Sequence, residues 1–354
     1  MSDPLLVEVA ESIFAKACTE QERLVAEHSG WAPDAWNIVA DAGLPWISVP
    51  ESAGGQGGSL GDALAVLQVA GRHAVPLPLA ETGMLGGWLL SAAGATVGDG
   101  PITVVPARSE DSVSWDGRRV TGVVHRVPWA RTAERVVLLV PQGDGWSVAV
   151  LARARVRVDE QANLAGEPRD TVYMDQVVPI EVHPAPAGVD PDTLAVRGAL
   201  SRVTLMAGAV ERVLEITLRY TGERKQFGRA IGEFQAVQQH LVHLAQQAAV
   251  AAMAAEIAGR EVERGGGRFE VSAAKTVADD VARIATRAAH QAHGAMGATR
   301  EYPLHHLTRR LWAWSREYGD GARWAREIGD EVVAGGPDRL WPLITGGSAA
   351  ARMP

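Results

Sequence analysis

The strongest constraint on the fold is a set of long helical segments in the second half of the chain. Their apolar side chains recur at helical spacing over residues 192–222, 234 to about 264, and 271 to about 292. Each segment is much longer than the mean helix of about 11–12 residues. Such helices suit a four-helix bundle, completed by residues 303–316 or by residues 319–333. We therefore predict a C-terminal helical bundle over residues 186–335, followed by a tail at residues 336–354.

Two stretches of different character precede this bundle. In residues 1–100 the apolar side chains again follow helical spacing, as at Leu6, Val9 and Ile13. In residues 101–185 the pattern changes to short runs of β-branched residues separated by turn residues, which is typical of a compact antiparallel sheet or a small barrel. The predicted fold class is α+β, mostly α, with an N-terminal helical domain, a small middle β-domain and the C-terminal bundle.

A glycine-rich loop at residues 50–58 lies between helical segments in the first of these stretches. Ser59 is placed to cap a helix that starts near Leu60. A glycine loop before a helix can bind a phosphate through its backbone N–H groups. This loop lacks the Lys-Ser/Thr ending of a P-loop, and no strand–helix–strand unit follows it. We therefore predict that it is a structural turn.

Composition excludes several classes of protein. The 354 residues are 47 % hydrophobic, enough for a large core, and carry a formal net charge of −8, which argues against a nucleic-acid partner. The single cysteine, Cys18, has no partner for an intramolecular disulfide, which fits a reducing compartment. No stretch approaches the ~20 uninterrupted apolar residues of a membrane helix, and the N-terminus lacks the layout of a secretory signal. We expect a cytoplasmic protein without a membrane partner.

One motif follows the first long C-terminal helix. The segment Tyr220-Thr-Gly-Glu-Arg-Lys-Gln-Phe-Gly228 combines Arg224 and Phe227, and Gln235 follows shortly after. A guanidinium offers a planar fork of donors that matches a pyrophosphate, and its charge persists at any physiological pH. The alternative interpretation is a solvated helix end whose basic residues complement the helix dipole.

A second motif lies further along the chain, at His290-Gln-Ala-His-Gly-Ala-Met-Gly297. It combines Gln291 and Gly294, with Ala295 where a second glycine would permit closer approach of a ligand to the backbone. Glycine at this point also suits the end of a helix. His290 and His293 are spaced for a metal, but no carboxylate is placed to complete a site, so we predict no metal.

These two motifs resemble segments of the acyl-CoA dehydrogenase family, namely Arg-x-x-Phe-Gly with its following Gln, and Gln-x-x-Gly-Gly-x-Gly. The resemblance implies an FAD cofactor contacted by Arg224, Phe227, Gln235, Gln291, Gly294 and Ala295. In the family the first motif reaches the FAD of a neighbouring subunit, so the resemblance implies an oligomer. It also implies an acyl-CoA substrate and an electron-transfer flavoprotein or a similar electron acceptor.

The chain departs from the family at the catalytic base. Dehydrogenation needs a carboxylate that removes the α-proton of the acyl thioester while a hydride leaves to the flavin. The position that holds this glutamate in most of the family is Tyr318 here, and a phenol with a pKa near 10 is a poor base. In other members the glutamate lies at a position that corresponds to about Gly198. Glu317 and Asp320 flank the first position and could serve if the loop is displaced by one residue, and Glu317 is the candidate that we name.

Three functions are compatible with this pattern. The first is a base-lacking subunit that contributes to an FAD site in a heterotetramer with a base-bearing paralogue, as in bacterial steroid-side-chain members of the family. The second is an active homo-oligomeric acyl-CoA dehydrogenase that uses Glu317 as a displaced base. The third is a structural or binding oligomer without flavin on the same scaffold. We favour the first, acting in lipid or steroid catabolism, because both usual base positions lack a carboxylate.

Overall fold

The computed structural model describes residues 3–108 and 110–351. By its internal contacts the chain divides into two compact units. The first unit contains the residues up to Val66 together with Val75–Gly198, and the second contains Leu67–Ala74 together with the residues from Ala199 onward. The order of elements along the chain is helices, then strands, then helices, which confirms the order predicted from the sequence.

The first unit begins with short helices. They are α1 (Pro4–Ala17), α2 (Glu20–Ser29), α3 (Pro33–Asp41), α4 (Leu60–Arg72), whose C-terminal half belongs to the second unit, a π-helix (Ala80–Gly87) and α5 (Trp88–Ala92). Asp3 and Thr19 cap the first two helices by accepting backbone N–H bonds. Phe14 and the tryptophans Trp36 and Trp46 are buried between these helices.

The glycine-rich loop at residues 50–58 is a structural turn, as predicted. Its last three backbone N–H groups, from Gln56 to Gly58, donate to carbonyl oxygens of residues 46, 49 and 47 at 2.8–3.1 Å. Those donors are therefore unavailable to a phosphate. The Ser59 hydroxyl accepts from the Asp62 N–H at 3.1 Å, which confirms the predicted cap of α4.

The described residues of the first unit next form eight strands. They are β1 (Ile102–Val104), β2 (Ser112–Trp115), β3 (Val120–Pro128), β4 (Arg135–Gln142), β5 (Gly145–Ala152), β6 (Arg157–Asp159), β7 (Arg169–Val177) and β8 (Glu181–Pro184). They form two four-stranded sheets with the orders β1-β4-β5-β8 and β2-β3-β7-β6. All pairs are antiparallel except β1 with β4.

The prediction of one sheet or a small barrel is wrong, because the strands divide between two sheets that share one core. Side chains of both sheets meet there, including Val124 and Val172 from one sheet and Val136 and Leu138 from the other. Strand β7 begins with the polar residues Arg169, Asp170 and Thr171. Asp170 at its start is fully buried, where its carboxylate accepts hydrogen bonds from Arg131.

The second unit is built mainly from long helices. They are α6 (Pro191–Glu223), whose first residues belong to the first unit, α7 (Gln235–Glu263), α8 (Arg268–His293), α9 (Leu304–Arg316), α10 (Gly321–Gly335) and α11 (Pro337–Ala351). A hairpin of two short strands, β9 (Lys225–Gln226) and β10 (Arg229–Ala230), separates α6 from α7. The first three helices match the predicted segments to within about three residues, and both candidates for the fourth are helical.

Helix α8 lies at the centre of the second unit, where α7, α9, α10 and α11 pack on it. Its contact face is largely alanine, which lets neighbouring helices approach closely. The end of α4 approaches α6 more closely still. A Cβ added at Gly71 would lie 2.0 Å from the Leu205 oxygen, and one at Gly208 would lie 1.8 Å from the Gln68 oxygen. Glycine at both positions therefore permits this helix crossing.

Helix α7 has an apolar outer surface. Val242, Val250, Met253 and Ile257 are all more than 40 % exposed. By length and composition this is one helix of the described chain that could cross a membrane, with 28 % of its most apolar window buried. Length and composition alone are weak evidence for a membrane span, since core helices of soluble proteins meet the same criterion.

Candidate functional site

A cavity of about 470 Å³ lies in the second unit where α6 ends, α7 begins and α8 ends. Its lining includes five of the six residues that the sequence assigns to cofactor binding, namely Arg224, Phe227, Gln291, Gly294 and Ala295. Volumes of about 300–1,000 Å³ are typical of sites for small molecules and cofactors. The structure thus brings together two sequence motifs that are more than sixty residues apart.

The hairpin between α6 and α7 positions Arg224 and Phe227. The Arg224 N–H still donates to the Tyr220 carbonyl at 2.9 Å, while its own carbonyl accepts from Ile231 N–H at 2.8 Å and closes the hairpin. Phe227 stands at the tip with a φ of 51°, followed by Gly228 with a φ of 82°. Its ring is 93 % exposed, touching Phe234 edge to face at 6.1 Å between centroids. An aromatic ring so exposed is a suitable contact for a ligand or a partner chain.

The turn that ends α8 contributes the opposite side of the cavity. Gly294 has a φ of 60° and a ψ of −141°, a backbone conformation that is open essentially to glycine alone. A Cβ placed there would meet nothing within 4 Å, so the requirement for glycine comes from the backbone and the space in front of it is open. Gln291, one turn earlier, and Ala295, just after, are both exposed on the cavity.

Gln235 is the one predicted cofactor residue that does not line this cavity. It is the first residue of α7 and is exposed, between the lining residues Phe234 and Val237. The structure therefore places it beside the site, and its proposed contact with a cofactor remains a prediction.

Sequence analysis missed the aromatic cluster beneath the cavity. The rings of Tyr220 and His293 stack at 4.5 Å between centroids, and Tyr302 lies within 5.5 Å of both. The Tyr220 hydroxyl donates to the His293 carbonyl at 3.3 Å. Burial lowers the pKa of His293, so its ring is neutral at pH 7 and packs as an aromatic side chain. In the sequence, the segment Glu301-Tyr302-Pro303 was the one available signal of this cluster.

The two histidines that end α8 do not converge on a common point. The Nδ1 of His293 lies 2.8 Å from the Ala289 carbonyl, as a donor, and the Nε2 of His290 lies 3.2 Å from the Thr308 hydroxyl. Burial also lowers the pKa of His290. Each ring is thus held by its own partner within the helical packing.

The position that the family resemblance assigns to the catalytic base lies in the turn between α9 and α10. Tyr318 is 4 % exposed there, with a φ of 53°, and the Arg202 guanidinium lies 5.1 Å from the centre of its ring. Glu317 is 7 % exposed, and its Oε2 accepts from the Nε of Arg202 at 2.6 Å. Arg202 itself is 1 % exposed, on α6. Glu317 is therefore one half of a buried ion pair.

A buried lysine completes this region. The Nζ of Lys275, on α8, donates to the carbonyl of Ser315 at 2.8 Å and to that of Glu317 at 3.0 Å, and so caps the end of α9. Lys275 is fully buried, and burial lowers its pKa to about 7 even though Asp279 and Glu317 act in the opposite direction. Sequence analysis did not single out Lys275 or Arg202.

This network bears directly on Glu317 as a displaced base. A carboxylate that is held by a guanidinium at 2.6 Å is stabilised in its charged form and would have to leave that partner to take a proton from a substrate. Among the described residues that flank Gly198 on α6, namely Arg197, Ala199 and Leu200, none is a carboxylate. The role of Glu317 in catalysis remains a prediction that the structure makes less favourable.

Comparisons with known proteins identify the class. Residues 196–322 match the model of the acyl-CoA dehydrogenase C-terminal domain. The chain is 30 % identical over 335 residues to acyl-CoA dehydrogenase FadE34 of Mycobacterium tuberculosis, covering 87 % of this chain and 44 % of FadE34. It is 27 % identical to acyl-CoA dehydrogenase IpdE2 of the same organism, covering 85 % of this chain and 88 % of IpdE2.

The fold agrees with this assignment. The ChsE4-ChsE5 complex from Mycobacterium tuberculosis contains a chain that superposes with a TM-score of 0.82 at 22 % identity, over 95 % of this chain and 99 % of that one. The predicted resemblance to acyl-CoA dehydrogenases is thus confirmed, and so is the predicted fold class. It spans less than half the length of FadE34.

Proposed function

We propose that this chain is an FAD-binding subunit that completes the cofactor site of an acyl-CoA dehydrogenase and depends on a base-bearing paralogue for catalysis. The main observation in support of this proposal is the contrast between the cavity that contains Arg224 and the buried turn that contains Tyr318. The cavity retains charged and polar groups that serve no evident purpose in folding. The two carboxylates of the turn are engaged, that of Glu317 by Arg202 and that of Asp320 by the backbone N–H of Arg323 at the start of α10.

The lining of the cavity fits part of a flavin dinucleotide. The guanidinium of Arg224 supplies charged donors for a phosphate, the amide of Gln291 supplies a further donor and acceptor, and the open backbone at Gly294 permits close approach. The exposed Phe227 ring offers an aromatic surface. Bound FAD would accept the hydride that leaves the substrate. The residues of this chain hold its nucleotide end.

The substrate in this proposal is an acyl-CoA thioester, which loses its α-proton to a carboxylate and its β-hydrogen as hydride to yield the trans-2-enoyl product. The partner subunit provides the carboxylate. Electrons then pass to an electron-transfer flavoprotein or a similar acceptor, and we place the assembly in the cytoplasm. The partnership is supported by two structural relatives whose names describe two-component proteins, the ChsE4-ChsE5 complex and the Tcur3481-Tcur3483 steroid acyl-CoA dehydrogenase.

Substitution of Arg224 tests the proposal. We expect Arg224→Ala to lower flavin occupancy of the purified assembly, because it removes a charge-assisted hydrogen bond worth ~1.5–3 kcal/mol. Bound flavin per chain, measured from the visible spectrum after extensive dialysis, reports the loss. Arg283→Ala is the matched control, since Arg283 is an exposed arginine of α8 paired with Asp280. Equal flavin content in both variants would refute a cofactor role for Arg224.

Activity of the chain purified alone distinguishes this proposal from an active homo-oligomer. The proposal predicts no bleaching of the flavin when an acyl-CoA is added, and bleaching once the paralogue is co-expressed. Bleaching by the chain alone, retained in Glu317→Asp and lost in Glu317→Gln, would instead establish Glu317 as the base. Absence of flavin from every preparation would favour a purely structural oligomer.

A further inference from the structure

The hairpin between α6 and α7 holds a second arginine beside the cavity. Phe227 and Gly228 connect its two strands with φ values of 51° and 82°. Positive φ at both positions is what a two-residue hairpin turn of type I′ requires. Arg229 follows this turn and pairs with Gln226 on the opposite strand. Because Gln226 and Phe227 both line the cavity, the turn fixes the position of Arg229 relative to the cavity wall.

The guanidinium of Arg229 stacks on a ring that lines the cavity. Its Cζ lies 4.1 Å from the centre of the Phe234 ring, well within the ~6 Å reach of a cation–π interaction. Within residues 3–108 and 110–351, no carboxylate forms an ion pair with this guanidinium. The side chain is exposed and does not itself line the cavity. Arg229 therefore contacts the wall of the cavity from outside it.

Phe234 has a fixed backbone and a less constrained ring. Its carbonyl accepts from the N–H groups of Val237 and Gln238 at 2.9 and 3.0 Å, which anchors the residue at the start of α7. The residue is half-buried, and its ring touches Phe227 edge to face. Phe227 is 93 % exposed, so it is itself held by few neighbours. The stacked guanidinium of Arg229 is thus the contact best placed to restrict rotation of the Phe234 ring.

We propose that Arg229 is a positioning residue, which holds the Phe234 ring as a wall for the adenine base of the nucleotide in the cavity. This inference rests on the proposed function, in which this chain holds the nucleotide end of FAD. A ring whose plane is fixed can pack against a base in an offset-stacked or edge-to-face arrangement without first losing its own rotational freedom. Arg229 then contributes to base binding through Phe234, whereas Arg224 contacts the phosphates directly.

Titration calorimetry of the purified full-length chain with two ligands tests this inference. ADP contains the base and two phosphates, and inorganic pyrophosphate contains the phosphates alone. Arg229→Gln should weaken ADP binding about two- to five-fold, the range of a cation–π interaction at an exposed site, and should leave pyrophosphate binding unchanged. Arg229→Lys should keep part of the ADP affinity, because an ammonium also stacks on a ring.

A double variant shows whether Arg229 acts through the ring. In a Phe234→Leu background, Arg229→Gln should produce no further loss of ADP affinity, because the ring that Arg229 positions is absent. The matched control is Arg264→Gln, which removes an exposed arginine at the opposite end of α7 and should leave ADP binding unchanged. Circular dichroism verifies that each variant is folded, and Arg229→Met replaces Arg229→Gln if that variant does not fold.

The outcomes separate this inference from the proposed function. Equal losses of ADP and pyrophosphate binding in Arg229→Gln would mean that Arg229 contacts phosphate directly, which overturns the positioning role and leaves the nucleotide site in place. Unchanged ADP binding in Arg229→Gln, or a loss that persists in the Phe234→Leu background, also overturns that role alone. Failure of ADP and pyrophosphate to bind the natural chain contradicts the proposed cofactor site, and the inference falls with it.

Discussion

The cavity that contains Arg224 and the turn that contains Tyr318, both in the second unit, differ in how their polar groups are arranged. The cavity exposes a guanidinium, an amide, an open glycine backbone and the ring of Phe227. The turn instead buries its charged groups against each other, with Glu317 paired to Arg202 and Lys275 bonded to carbonyl oxygens. The polar groups of the cavity stay accessible, whereas those of the turn bond to one another.

Tyr318 occupies the position that the family resemblance assigns to the base, and the neighbouring carboxylate of Glu317 is the counter-ion of the buried Arg202. Lys275 caps the end of α9 beside this pair, so the charged groups of the turn stabilise the packing of the helices.

The largest expected effect comes from breaking the buried ion pair. Arg202→Leu should lower the free energy of unfolding by about 3–5 kcal/mol, because it leaves the Glu317 carboxylate buried without its guanidinium. Denaturant titration measures the change. The exposed pair of Arg260 with Glu256 provides the control, since Arg260→Ala should cost less than about 1 kcal/mol.

A double variant sharpens this result. Arg202→Leu with Glu317→Leu removes both charges and should recover most of the lost stability. If Arg202→Leu were as mild as Arg260→Ala, the turn could not be regarded as a structural ion-pair site, and Glu317 would again be available as a base.

A smaller effect concerns the pH dependence of stability at Lys275. Burial lowers the pKa of Lys275 from 10.5 in the unfolded chain to about 7 in the folded one. Between these values the unfolded state binds more protons, so the free energy of unfolding should rise with pH from about 7 to about 10.5. Lys275→Met should remove this contribution and flatten that part of the profile.

Denaturant titrations at several pH values from 7 to 10 measure the two slopes. The exposed Lys225→Met provides the control and should retain the slope of the natural protein. Indistinguishable slopes for the natural protein and Lys275→Met would mean that Lys275 does not titrate in this range.

The smallest effect on folding is expected at the cavity side. Phe227→Ala should change the free energy of unfolding by less than ~0.5 kcal/mol, because the ring is 93 % exposed. The same variant should reduce the flavin content of the assembly if the ring contacts the cofactor. Phe14→Ala, at a fully buried position, should instead cost about 3–5 kcal/mol. A large loss of stability in Phe227→Ala would show that the hairpin tip serves the fold rather than a ligand.

The sequence predicted the parts of this molecule whose pattern is local. The long helices follow from a 3.6-residue periodicity, and the cap at Ser59 follows from its own helix start. Motifs with fixed spacing identified Arg224 and Gly294, which the structure then places around one cavity.

The parts that escaped prediction depend on residues far apart in the chain. Arg202 and Glu317 are separated by 115 positions, and the local sequence around either residue does not predict that they form an ion pair. The sequence around Lys275 is compatible with a solvated helix residue. Its burial becomes evident only in the structure, where the end of α9 packs against it. The burial of Asp170 likewise depends on a partner on another segment, Arg131.

The most direct test of the central claim is the visible absorption spectrum of the chain co-expressed with a base-bearing paralogue, recorded for the natural protein and for Arg224→Ala. We expect a flavin spectrum from the natural assembly and a marked reduction in Arg224→Ala, with the two subunits still co-purifying. A natural assembly without flavin, or an Arg224→Ala assembly with undiminished flavin, would contradict the assignment of this cavity to the cofactor.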